Sequence, residues 1–473
     1  MRKVTILALA TLVVVACGGA KGARPGSDSA EAWLSTTING QKVGYSLYRF
    51  DQYDGGYRFE SFIRMTIAMA GKEQRVQSRS TARTGPDLTL EEFAFTFSSQ
   101  DRSFAVKGRV IGSELWITAP GDTQERTIKL TGPVYPASAL GRMVTVRKFA
   151  KDSTYKVPVF DAAVMGVSLA QVKVIGREKV KAGGREYDAL KFAVRMAKTD
   201  MTSWVDDKGI AIVETSPPGI RSERTTADRV LTAEPEGGRV DVLTMFRVPV
   251  DTVIPEGVKV KRLVLELTGV DPKEYALVGP GQQVLSTSPL KVEIKTPDVP
   301  TGPVSLPIAA ETEYLKPSVS IQCDAPEVKA KLNEAIGGEK DGVVATRKLA
   351  SWVFTVIEKQ ATASFPNALD VLKTMKGDCN EHAVLFAALA RAAGIPTKIA
   401  VGLVYMKPAF YYHAWNEVFL GTWIPVDATF GEFPAGALHL KLAEGDLSQQ
   451  AEILGMVGTI GIKVKEFTAA PAE

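Results

Sequence analysis

Cys379 lies in Lys376-Gly377-Asp378-Cys379-Asn380-Glu381-His382-Ala383, directly before an apolar stretch that ends at Gly394. The pattern predicts a helix that starts at the cysteine. A thiol there meets the positive end of the helix dipole and unpaired backbone N–H groups, which favour thiolate, the form that attacks carbonyls. A capping or core cysteine has the same appearance, since cysteine is among the most buried residue types. His413 opens His413-Ala414-Trp415-Asn416-Glu417-Val418-Phe419-Leu420, and Asp427 sits in Trp423-Ile424-Pro425-Val426-Asp427-Ala428-Thr429, with Gly421 between the two runs. The spacing predicts a hairpin. If Val418 faces Thr422, His413 stands opposite Asp427, and any register shift by an even number keeps both on one face. A carboxylate beside an imidazole fixes its tautomer and leaves the other ring nitrogen to take a proton from a thiol. Nucleophile, base and orienting acid are therefore all available.

The chain has three cysteines and three histidines, too few for a disulfide scaffold or a multi-ligand zinc site. A Cys323–Cys379 disulfide is the competing use of the two cysteines beyond Cys17, and it excludes a working nucleophile. His382, three residues after Cys379, shares its helix face; a supporting place behind the reacting groups is expected for it and for Trp415. His439, in Ala437-Leu438-His439-Leu440, belongs to no motif and reads as a surface or packing residue. Trp352 sits on an amphipathic helix and reads as core.

Taken in order, Gly377-Asp378-Cys379, the helix running to Arg391-Ala392-Ala393-Gly394-Ile395-Pro396-Thr397, the His413 strand and the Asp427 strand resemble the transglutaminase-like superfamily of papain-like cysteine enzymes. With the preceding helices the likeness covers Asp324 to Leu440. It implies Cys379 as nucleophile, His413 as general base and Asp427 as orienting acid, in a reaction where thiolate attacks a protein or peptide amide and a thioester forms. An amine that resolves the thioester gives transamidation; water gives deamidation or proteolysis. The implied enzyme is a cysteine acyltransferase, or a cysteine peptidase or amidase with the same triad. A non-catalytic binding scaffold is the reading from another class. No acidic cluster matches the calcium sites of animal transglutaminases, so no metal or other cofactor is expected.

Several elements must position these residues. Asp324 is expected to cap a helix with Pro326 in its first turn that runs to Gly337-Gly338. A second helix, Val343 to Gln360, carries Val344, Leu349, Trp352, Val353 and Ile357 on one face. Strands Thr397–Tyr405, His413–Leu420 and Thr422–Phe430 follow the cysteine helix. Upstream, Lys42–Tyr48, Arg58–Ile63 and Glu91–Phe97 alternate apolar and polar residues, and Asp54-Gly55-Gly56, Gly112-Ser113 and Gly183-Gly184 mark turns. These predict a curved antiparallel sheet, half-barrel or sandwich, and two stretches, Ile38–Tyr45 and Thr202–Gly209, resemble periplasmic half-barrel lipoprotein modules. Packing or binding of an envelope protein partner is its expected role. The fold class is α+β, divided into 31–235 as an antiparallel β domain, 236–322 as a β-rich connecting domain and 323–473 as the papain-like domain. Glu234–Gly238 reads as the linker between the first two.

Met1-Arg2-Lys3 precedes thirteen apolar or small residues, Val4 to Ala16, and then Cys17-Gly18-Gly19. As helix this run spans about 20 Å, short of the ~30 Å of a bilayer core, so 1–16 reads as a signal peptide. Val14-Val15-Ala16-Cys17 resembles a bacterial lipobox, which implies lipid attachment at Cys17 and a tether over 17–30. Gly18 is not the Asp that commonly retains lipoproteins on the inner membrane, so the periplasmic face of the outer membrane is favoured where two membranes exist. Across 473 residues, 57 Lys and Arg against 53 Asp and Glu give a net charge of +4 with no basic run, which argues against nucleic acid as partner. With 45% hydrophobic and 23% charged residues, global disorder is excluded. The expected partners are a protein or peptide substrate and, through the lipid, a membrane.

Overall fold

A computed structural model describes residues 28–469, apart from 70, 100–101, 120–124, 233–239, 446–452, 454 and 457. The signal peptide, Cys17, most of the tether and the Glu234–Gly238 linker lie outside the described residues. Two compact units emerge. Of the described residues, one takes those from 28 to Val242 together with Ala363–Phe365, the other those of Leu243–Thr362 and from Pro366 to Ala469.

In the first unit alternation does what the sequence pattern predicts. Along Ser29–Ile38, Ala32, Leu34, Thr36 and Ile38 are buried while the residues between them face outward. The strands at Gln41–Tyr53, Gly56–Met69 and Leu90–Ser98 extend the expected runs at both ends. Fifteen described strands form one sheet, almost entirely an antiparallel meander, and Ser29–Ile38 pairs with Ile220–Thr225 to join its two flanks. The result is a half-barrel-like sheet. Its first strand starts inside the stretch read as tether.

Among the described residues the second unit contains two larger sheets, a short parallel pairing of Glu358–Lys359 with Lys376–Gly377, and the helices that carry the chemistry. Strand β1 (Arg247–Pro249), strand β5 (Thr397–Met406), strand β6 (Ala409–Phe419) and strand β8 (His439–Gly445) lie in the order β1-β6-β5-β8, with strand β7 (Trp423–Val426) pairing β6. Strands β2 (Val260–Thr268), β3 (Gln282–Thr287), β4 (Leu290–Lys295) and β9 (Gly461–Ala469) form the other sheet, in the order β3-β4-β2-β9. The 236–322 stretch is therefore no separate domain. Its β1 pairs with β6 in the sheet of β5 and β8, and its β2 is completed by the last described strand of the chain.

Four helices of seven residues or more are described in this unit: α1 (Pro326–Ile336), α2 (Gly342–Val356), α3 (Ala368–Thr374) and α4 (Cys379–Ala392). Ala325, not Asp324, occupies the N-cap of α1, and Pro326 serves the first turn, where a missing N–H costs nothing. Helix α2 starts at Asp341, whose carboxylate accepts the N–H groups of Val343 and Val344. Its buried face runs through Ala345, Thr346, Leu349, Ala350 and Val353, so Val344 points outward, 40% exposed. Helix α4 is the core element: every residue from Cys379 to Arg391 is buried. Asn416 Nδ2 donates to the carbonyl of Ala383 at 3.0 Å, tying β6 to α4. On the same sheet Lys398 and Lys441 share Glu417 and Glu444 in a largely buried ion network.

Candidate active site

Helix α4 begins at Cys379 because Asp378 before it and Glu381 in its first turn complete a capping box. The Asp378 side chain accepts the N–H of Asn380 at 3.1 Å, and Glu381 Oε2 accepts the N–H of Asp378 at 2.9 Å. Gly377 is required by close packing: a Cβ there would lie 2.3 Å from Cβ of Glu381. The capping carboxylates that start the helix also set the electrostatics of its first residue. Cys379 is fully buried, and its thiol is pushed well above the usual range, first by burial and then by Asp378, with Glu381 and Asp427 adding to it. The backbone N–H of Ala414, next to His413, acts in the opposite sense. The helix dipole is thus outweighed, and the expectation of a thiolate poised by position alone is corrected. Alkylation of Cys379 by iodoacetamide is accordingly expected to be slow at about pH 6. It should accelerate with pH beyond the ~8.5 of an ordinary thiol, as peptide mass spectrometry of a pH series will show.

Cys323 and Cys379 are not bridged to each other; the Cys323 thiol donates to the carbonyl of Leu315 at 3.5 Å. The disulfide alternative is therefore not what the structure contains.

The hairpin of β6 and β7 pairs Asn416 with Val426 and Phe419 with Trp423. This register is shifted by two residues from the Val418–Thr422 alignment, an even step, so the facing survives. Asp427 lies just past β7, fixed by reciprocal backbone hydrogen bonds with Glu432 at 2.9 and 2.8 Å. His413 Nε2 donates to Asp427 Oδ2 at 2.7 Å, both side chains fully buried. Asp427 Oδ1 accepts the N–H groups of Thr429 and Phe430 at 2.8 and 3.3 Å. Burial opposes the charge of Asp427, but the adjoining imidazoles win and hold the carboxyl far below its usual range. With its proton on Nε2, His413 presents Nδ1 as the unprotonated nitrogen, and that atom is buried with no hydrogen-bond partner among the described residues.

The flanking residues divide. Trp415 follows two residues along the same face, its ring within 18° of parallel to that of His413 at 6.2 Å, with a buried, unpartnered indole N–H. Phe430 covers the imidazole at 5.0 Å and 20°, a contact the sequence reading missed. His382 turns back on its own helix: Nδ1 donates to the carbonyl of Asp378 at 2.6 Å, and burial pushes the ring down to about 4, so it is neutral. His439 is the largest correction. Of the surface and packing places expected for it the structure has the buried one, and beyond packing its Nε2 lies 2.9 Å from the same Asp427 Oδ2 that accepts from His413. Only the pairing of β8 with β5 puts it there, and no local motif signals that pairing. Among the described residues His413, Asp427 and His439 alone gather metal-ligand atom types within 4.8 Å. Oδ2 is at hydrogen-bond distance from both imidazoles.

Residues 330–428 match the family model of the transglutaminase-like superfamily. No curated protein matches the chain. Among solved structures, a β-barrel-like protein of a domain of unknown function from Brucella abortus aligns with 43% of this chain and 98% of its own, at 14% identity and a TM-score of 0.35. A candidate cysteine protease from Cytophaga hutchinsonii aligns with 45% of this chain and 86% of its own, at 17% identity and a TM-score of 0.29. The periplasmic domain of TgpA from Pseudomonas aeruginosa aligns with 40% of this chain and 90% of its own, at 16% identity and a TM-score of 0.26. No described helix is long and apolar enough to cross a membrane. The stretch that carries the cysteine, the histidine strand and the aspartate, residues 330–428, is a domain of the transglutaminase-like superfamily.

Proposed function

We propose that this protein is a cysteine acyltransferase or hydrolase that attacks protein or peptide amides through Cys379, His413 and Asp427. The observation that carries the reading is the imidazole of His413, whose Nε2 is committed to Asp427 while Nδ1 is left open and unprotonated. Because the Cys379 thiol is held protonated, proton transfer to Nδ1 accompanies attack of sulfur on the carbonyl carbon. The C–N bond then breaks, the imidazolium returns that proton to the departing nitrogen, and a thioester remains on Cys379. His413 next takes a proton from water or an amine, which attacks the thioester and restores the thiol. The test pairs a glutamine-containing peptide with a fluorescent primary amine and follows amine incorporation, ammonia release and peptide cleavage together. Turnover that disappears in the Cys379→Ala variant supports the reading. The absence of all three products with folded wild-type protein, across donor peptides, returns the chain to the scaffold reading.

The leader sequence supports a place in the cell envelope, with the protein lipid-anchored through Cys17 and the outer membrane favoured where there are two membranes. Metabolic labelling with a fatty acid is expected to mark the wild-type chain and not the Cys17→Ser variant, which should move to the soluble fraction. Equal labelling of both would overturn the anchor.

A further inference from the structure

His439 opens β8 with both ring nitrogens engaged. Nδ1 stands 3.1 Å from the carbonyl oxygen of Gly436, and Nε2 stands 2.9 Å from Asp427 Oδ2. Neither partner has a proton to give: one is a carbonyl, the other a carboxylate that already accepts from His413, Thr429 and Phe430. A neutral imidazole carries one N–H and serves one of two such acceptors; only the doubly protonated ring serves both. We propose that His439 is a resident buried imidazolium, the counter-cation of Asp427, and that it acts as a positioning residue holding the carboxylate in the orientation that fixes the tautomer of His413. This rests on the reading of His413 as base and Asp427 as its orienting acid.

The charges around the ring agree. Asp427 faces it from the turn after β7, and Glu432, in the same loop, adds a second favourable negative charge. His413 faces it from β6 with ring centroids 5.8 Å apart, Trp415 presents an edge at 5.2 Å, and Phe430 closes the remaining side at 6.3 Å. A neutral His413, a carboxylate and a cationic His439 sum to no net charge, the condition under which such a group tolerates full burial. Burial works against the protonated ring, yet the bond and charge of Asp427 raise His439 above the usual imidazole value. The sign follows: its contribution to stability is complete below ~6.5, the unfolded imidazole value, and is lost as pH rises through the higher folded value. Once the ring is neutral, its one N–H is shared between the Gly436 and Asp427 contacts, and whenever Gly436 keeps it the carboxylate is no longer held from that side.

With only three histidines in the chain, ring-¹⁵N labelling of histidine in the full-length protein gives a readable long-range ¹H–¹⁵N spectrum. Assignment uses His382→Gln and His439→Gln. At about pH 7.5, above the ordinary imidazole value, His439 is expected to show two protonated nitrogens while His382 shows one. A single unprotonated nitrogen on His439 would overturn the proposal whether or not turnover has been detected. The kinetic arm uses His439→Gln, which keeps a neutral donor for Asp427. The expected result is a kcat lower by about tenfold with KM unchanged, as for a group acting through another. The alkaline fall of the wild-type kcat profile should also vanish. An unaltered pH profile in that variant overturns the positioning role even if the ring is cationic.

Discussion

Replacing Cys379 by Ala is expected to remove amide turnover altogether, with kcat falling by at least about 10⁴-fold while the fold persists. The size of the effect follows from chemistry. Without sulfur there is no thioester, and the open nitrogen of His413 has no thiol proton to take. What remains is binding alone. Persistence of the fold follows from the site of the change, because Ala is a strong helix former in the first turn of α4 and the capping box is built from Asp378 and Glu381. Loss of a buried sulfur leaves a small cavity, at a cost of about 1 kcal/mol. Thermal unfolding and turnover measured on one preparation separate the outcomes. Full activity in the variant would exclude covalent catalysis at this residue, and a collapsed melting temperature would make Cys379 a core residue.

Asp427→Asn should cost nearly as much activity and considerably more stability. The carboxylate accepts four donors, two imidazoles and two backbone N–H groups, and an amide cannot accept on both of its atoms. If its NH₂ group replaces Oδ2, His413 must turn its unprotonated nitrogen toward it. The proton then moves to Nδ1, the atom that has to receive one from the thiol. Such a tautomer reversal is worth about 10⁴-fold in kcat. The change also strips His439 of its counter-ion in a buried setting, and breaking a buried ion pair in this way costs about 3–5 kcal/mol. The depressed carboxyl stabilises the native state above about pH 3.9, the ordinary value for Asp, and that contribution is lost only as pH falls towards the lower folded value. The melting temperatures of wild type and variant should therefore stay well apart through neutrality and converge only in strong acid. A gap that closes near neutral pH would show that Asp427 is not charged in the native protein.

Much of the site was legible because its logic is local. A cysteine after Gly377-Asp378 and before an apolar run announces a helix start, and the parity of a hairpin survives errors of two residues, so His413 and Asp427 were brought together although the turn was misjudged. What stayed hidden depends on pairings between distant segments. His439 reaches Asp427 because Val404 on β5 pairs with it across the sheet, and nothing in Ala437-Leu438-His439-Leu440 encodes that partner. The raised thiol of Cys379 escaped for another reason: the sequence displays the helix dipole and the neighbouring acids but not the burial that amplifies the latter. In α1 and α2 the elements were found and their details were not, with Ala325 taking the cap expected of Asp324 and Val344 turned outward.

The pairing of β9 with β2, which sets Leu265 opposite Val464, bears on biogenesis. Until β9 is in place, β2 has one neighbour in β4 and one open edge. Contacts between segments so far apart form slowly, and an open edge invites pairing with other chains. A polypeptide that stalls or is clipped before Gly461 would hold the cysteine, both histidine strands and the aspartate, yet expose that edge. The sheet is thereby sealed by a segment far from β2 along the chain, and an unpaired β2 edge marks a molecule in which that long-range pairing has not yet formed.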